Sequence, residues 1–119
     1  MYSSGSIRFV DITAEEFISK PNPQEASKLE ILHDLLVDIL GAQKDNIDIF
    51  GVMNVPGKER TVDVRYSAHG SPYYPAEQMN GAVLANLDKV IRWVLHFGVM
   101  CGILWKNTNG YIGVVCGIL

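Results

Sequence analysis

Two stretches of helical apolar spacing bracket an alternating hairpin, and that order leaves a chain of 119 residues few ways to close a core. Within residues 24–40, Leu29, Leu32, Leu36 and Ile39 recur at helical intervals, with Ile31, Leu35 and Leu40 beside them. Asn22 and Pro23 supply an N-cap and a first-turn residue, and Gly41 stands where a left-handed cap ends a helix. A second stripe, Met79, Val83, Leu87, Val90, Ile91, Val94 and Leu95, predicts a helix over 75–97, closed by Gly98. Between the helices, residues 47–55 and 61–66 read as strands joined by the turn chemistry of Pro56-Gly57-Lys58-Glu59-Arg60. Val62 and Val64 fall on one side of that hairpin, Asp63 and Arg65 on the other.

Ahead of these lies a β-rich stretch over 6–12, with Ile7 and Phe9 on one face. Thr13 and Glu16 have capping-box spacing and open one short helical turn that ends by Lys20-Pro21. The order β-α-β-β-α predicts an α+β fold. In a two-layer sandwich it calls for one more strand, which would complete a split, ferredoxin-like sheet. Residues 6–97 form that unit, and 98–119 form a divergent apolar tail. Within the tail, 99–105 and 111–119 are nearly all apolar and flank Asn109-Gly110, a hairpin signal. A four-residue loop over 107–110 would set Cys101 opposite Cys116, which permits a disulfide without requiring one.

Net charge is −3 and the ten basic residues are scattered, so neither a nucleic-acid footprint nor a polybasic membrane patch is expected. Neither apolar run reaches the ~20 residues of a membrane span. Extension back to Val90 brings in Arg92 and His96, both costly at mid-bilayer. The short polar start lacks the apolar core of a signal peptide, so a secreted parent would make this chain an internal fragment or a truncated product. Two cysteines are too few for a disulfide framework, and no Asn-x-Ser/Thr sequon occurs.

Chemistry concentrates at Gly70-Ser71, which follows the third strand and precedes Pro72. A serine hydroxyl can attack the carbonyl just before it, and water then hydrolyses the resulting ester. A peptide bond twisted by about 12° stores only about 1 kcal/mol, so the reaction needs a strongly forced turn. Gly70 tolerates such a turn, Pro72 stiffens its far side, and His69 is a candidate proton shuttle. The alternative is that Gly-Ser-Pro is a strand exit and helix cap. Asp34 and Asp38 are spaced i, i+4, but a third ligand at helical spacing is missing and His33 points off their line, so the three read as a solvated face. His96 reads as a partly buried or capping histidine. Asp45, Asn46 and Asp48 lack the glycine-centred calcium loop and its distal Glu. No metal or cofactor is expected in this segment, and no turnover enzyme; single-turnover autoproteolysis in cis is the most the residues allow.

The run Ile7-Arg8-Phe9 with Ile12-Thr13-Ala14-Glu15-Glu16-Phe17-Ile18 resembles the start of a membrane-proximal extracellular module of large cadherins. Asn46-Ile47-Asp48-Ile49-Phe50-Gly51-Val52, the stretch from Tyr66 to Tyr74, and Leu84-Ala85-Asn86-Leu87 fit the same module in order. The likeness covers residues 7–90 and is greatest to non-vertebrate classical cadherins. It implies a SEA-like, ferredoxin-like fold in a calcium-dependent adhesion receptor at the plasma membrane, with calcium belonging to the parent family. It also implies self-cleavage at Gly70-Ser71, with Ser71 as nucleophile and the two pieces staying associated. The partners implied are the remainder of the receptor and its adhesion partners. In typical SEA domains the Gly-Ser lies in the hairpin between the middle strands, whereas here it follows the third strand. From about Arg92 the chain turns apolar in place of the family's cysteine-rich continuation.

Two other readings stand beside this one. A small intracellular ferredoxin-like domain would bind a ligand or dimerise through a polar sheet face bearing Arg8, Asp48, Asp63 and Arg65. A truncated fragment without function would use its apolar tail in place of a missing strand.

Overall fold

The computed structural model describes residues 2–70, 75–94, 99–107 and 111–118. It is α+β. The strands are β1 (Tyr2–Val10), β2 (Ile47–Asn54), β3 (Thr61–His69), β4 (Val99–Asn107) and β5 (Tyr111–Ile118). The helices are α1 (Ala14–Ile18), α2 (Lys28–Leu40), α3 (Ala76–Ala85) and α4 (Leu87–Val94). The strands form one five-stranded sheet in the order β2-β3-β1-β5-β4.

β1 begins earlier and ends earlier than residues 6–12, the stretch its apolar pattern marks. Its polar start is held by pairing with β3, from Tyr2 opposite His69 to Val10 opposite Thr61. It stops because Asp11 turns to φ 67 and gives its N–H to the Arg60 carbonyl at 2.7 Å, leaving the ladder. Ile7 and Phe9 are buried, as the alternation predicts, with Val62, Val64, Tyr66 and Ala68 of β3 and Ile47 of β2. Leu32, Leu36 and Leu40 of α2, Met79 and Val83 of α3, and Val90 and Val94 of α4 complete this core. Phe17 of α1 lies against Phe9 with ring centroids 5.2 Å apart.

Helix boundaries moved where a side chain offered a better cap. Asn22 Oδ1 accepts from the N–H groups of Gln24 and Glu25, but that turn does not continue. α2 starts instead after Ser27, whose Oγ accepts from Glu30 N at 3.2 Å, and it ends at Gly41 with φ 61. The stripe from Met79 to Val94 is divided at Asn86, so the helix expected over 75–97 is two helices over its described part; Leu95, His96 and Gly98 lie outside the described residues. Asn86 Nδ2 donates to the Ala82 carbonyl at 2.8 Å, and the Asn86 carbonyl in turn accepts from Lys89 N. A side chain that satisfies the last turn of one helix while its own carbonyl starts the next makes a corner.

β4 and β5 form the hairpin marked by the two apolar runs. Three residues, rather than four, separate the strands, which alone would shift the pairing by one. A register irregularity between Ile103 and Trp105 restores it, and Cys101 stands opposite Cys116. β5 lies beside β1 in parallel, from Ser6–Tyr111 to Val10–Val115, and β4 takes the outer edge. One closing strand after the last helix would have stood next to β1 in the antiparallel sense; here the return strand of a hairpin stands there.

Candidate functional site

Gly70 closes β3 with φ 87, a conformation that L side chains rarely adopt. A Cβ at this position would stand 2.7 Å from Asn46 Nδ2 and 2.9 Å from Asn46 Cγ, so any side chain would displace Asn46, and the positive φ favours glycine independently. Asn46 reaches Gly70 because the 3-10 turn Lys44–Asn46 leads directly into β2, whose Ile47 pairs with Ala68. Ser71 and Pro72 lie outside the described residues.

His69 Nε2 is 3.0 Å from Asp48 Oδ2, with the two side chains 43% and 56% exposed. The contact is a surface one, and it holds the imidazole against β2. His33 is engaged structurally: its Nε2–H donates to the Ile47 carbonyl at 2.7 Å, tying α2 to the first residue of β2. Its Nδ1 is 3.8 Å from Asp34. Among the described residues, no three His, Cys, Asp or Glu side chains group as a metal site. No helix among them is long and apolar enough to cross a membrane.

Below the sheet, Tyr66 Oη donates to Asn80 Oδ1 at 2.5 Å, and Asn80 Nδ2 donates to the Ser4 carbonyl at 3.4 Å. Burial pushes the Tyr66 phenol up, keeping it a donor. Gly5 makes the space: a Cβ there would stand 2.2 Å from Asn80 Oδ1 and 2.6 Å from Tyr66 Oη. Sequence reasoning passed over Gly5 and Asn80, and it weighed Asn46 as part of a calcium-loop pattern and of the family-resembling run, without its contact to Gly70. Gly5 falls inside a strand only in the structure, because the apolar pattern over 6–12 begins after it, and there it marks close approach of another group.

On the sheet face away from the core, Arg8 Nε and Nη2 donate to Asp63 Oδ1 and Oδ2 at 2.8 and 3.0 Å, a bidentate cross-strand pair. Asp48 and Arg65 are exposed, so the polar sheet face expected from Arg8, Asp48, Asp63 and Arg65 is present. Beside it on β2, Phe50 and Met53 are 55% and 63% exposed. At the sheet's end, Arg60 donates to both Glu16 carboxylate oxygens and to the Asp11 carbonyl, clamping α1 to the β2–β3 turn. Glu16 therefore serves Arg60, and the hydrogen bonds it receives hold its carboxyl below the usual range. The Thr13 half of the capping box forms, with Glu16 N donating to Thr13 Oγ1.

The sequence model of a family described as "DE-cadherin, Ig-like domain" matches residues 1–104. The chain belongs to this cadherin family. Neural-cadherin of Drosophila melanogaster is 37% identical over 92 residues, covering 74% of this chain and 3% of that protein. Putative neural-cadherin 2 of the same organism is 33% identical over 95 residues, covering 73% of this chain and 5% of its own length. The chain thus spans a small fraction of the cadherins it matches. The family match ends inside β4, leaving β5 beyond it. No solved structure matches the chain significantly. The architecture of this family member is one mixed sheet with helices packed on it, whereas an immunoglobulin domain is built of two facing antiparallel sheets.

Proposed function

We propose that the chain is a non-enzymatic, extracellular, membrane-proximal module of a calcium-dependent cadherin-like adhesion receptor. The family match over residues 1–104 is the observation that carries this reading. In this reading calcium belongs to the parent receptor, in keeping with the lack of a grouped metal site among the described residues. The strand order β2-β3-β1, with helices following β1 and β3, supports a ferredoxin-like, SEA-like relationship for the first three strands.

The module cleaves itself once at Gly70-Ser71. Ser71 Oγ attacks the Gly70 carbonyl carbon, the C–N bond breaks, and the hydroxyl proton passes to the departing amine. Water then hydrolyses the ester, giving a Gly70 carboxylate and restoring the Ser71 hydroxyl. The positive φ of Gly70 and the packing of Asn46 against it support a constrained scissile carbonyl. Intact mass under denaturing conditions, on this protein and on Ser71→Ala, tests the step. Two fragments meeting at Gly70-Ser71 are expected in the parent and one full-length mass in the variant. A single full-length mass in both removes cleavage and leaves a structural module.

A second reading, pairing through the sheet, is favoured by the exposure of Phe50 and Met53 on β2, an edge strand. A specific dimer lost on Phe50→Ser would point there.

A further inference from the structure

β1 and β5 are the first and last strands of the described chain, and they are neighbours in the sheet. They run parallel, from Ser6 beside Tyr111 to Val10 beside Val115. In a parallel pair the amino end of one strand lies at the amino end of the other. A pull on the amino end of β1 and the carboxyl end of β5 therefore drags the two strands in opposite directions along their own axes. The inter-strand hydrogen bonds then bear the load together. A pull across the strands instead opens the bonds one after another, each facing the full force alone. Concerted rupture is the slower event, and forced unfolding is governed by that rate.

Two further features keep the load on this ladder. The order β2-β3-β1-β5-β4 gives each loaded strand a partner on its other side. β3 holds β1 from Tyr2–His69 to Val10–Thr61, and β4 holds β5 from Tyr111–Asn107 to Ile118–Val99. Neither loaded strand can peel from an edge. In addition, Ile7 and Phe9 are fully buried within the stretch of β1 that pairs with β5. Sliding β1 by one residue would turn both side chains out of the core, so the register resists slippage.

We propose that this module is a shear clamp, in which tension between the two ends of the chain is carried across the β1–β5 ladder. The inference rests on the reading of the chain as one module of a longer adhesion receptor, the setting in which both ends are held. It does not require the cut. β1 and β5 fall on opposite sides of Gly70-Ser71, so a nicked chain carries tension through the same ladder.

Single-molecule pulling of the full chain in two geometries tests the clamp. In the first, handles are attached at the two termini. In the second, one handle is at the amino terminus and the other on an azido amino acid at Lys44, an exposed residue just before β2. Lys44 sits at the Tyr2 end of the sheet, because Ile47 pairs with Ala68 and Ala68 pairs with Ser3. That second pull crosses the strands and peels them. At one loading rate, the end-to-end rupture force is expected to exceed the crosswise force by about twofold or more. Equal forces, or a weaker end-to-end force, would overturn the clamp. In the end-to-end pull an intact chain lengthens as it unfolds, whereas a nicked chain detaches outright. The same records therefore separate failure of the cut from failure of the clamp.

Discussion

Asn80 is a buried polar side chain on α3 whose partners are a phenol on β3 and a carbonyl on β1. Such a network stays favourable because its donors and acceptors are matched, and removing one leaves a buried group unsatisfied. Tyr66→Phe should therefore cost about 1–3 kcal/mol in a urea titration at neutral pH. The same residue sets an alkaline limit. An unfolded tyrosine ionises near 10.0, while burial keeps the folded phenol protonated to higher pH. The folded state then holds more protons than the unfolded one, and stability falls as pH rises above 10.0 until the buried phenol itself ionises. Comparing this protein with Tyr66→Phe between pH 8 and pH 11 should show that part of the decline in the parent and its loss in the variant. An identical decline in both would assign it elsewhere. No sequence pattern reports this network, because positions 4, 66 and 80 meet only through the β1–β3 register and the docking of α3.

At the scale of single elements, apolar spacing located α2 and the α3–α4 stripe, capping-box spacing located α1, and polar side chains set the starts of α1 and α2 and the break at Asn86. The α2 stripe is legible from Leu29 to Leu40, yet Asn22 and Ser27 both offer N-caps. Ser27 prevails, its hydroxyl bound to Glu30 N and its residue buried, while Asn22 caps a separate turn. Ser27→Ala should lower stability by about 1 kcal/mol, and Asn22→Ala by a few tenths. Thermal melts with far-ultraviolet circular dichroism would read both, and the reverse order would place the start of α2 at residue 24. Asn86 shows the same competition at the other end of the chain. Its side chain bonds the Ala82 carbonyl and divides a stripe that reads as one helix.

Across the whole molecule, the Gly70-Ser71 bond divides the elements into β1, α1, α2, β2 and β3 on one side and α3, α4, β4 and β5 on the other. The core ignores that division. Met79, Val83, Leu87, Val90 and Val94 are buried in the cluster that contains Ile7, Phe9, Leu32 and Leu36. Each such side chain contributes about 1.5–3 kcal/mol by leaving water, enough together to offset the cost of holding two pieces as one. A chain nicked at Gly70-Ser71 should therefore elute from a sizing column as one particle of full mass and separate only in denaturant. Two species under native conditions would refute shared-core retention. Sequence alone determined the α+β class, the β-α-β-β-α order, the buried faces of β1, β3 and α2, and the C-terminal hairpin. These rest on local period, and period is written in the spacing of apolar residues. Only the tertiary structure decided that β5 rather than β4 stands beside β1, that the first strand reaches back to Tyr2, and that Asn46 packs on Gly70. Those outcomes depend on which edges meet, and backbone hydrogen bonds pair any two strands without regard to their side chains.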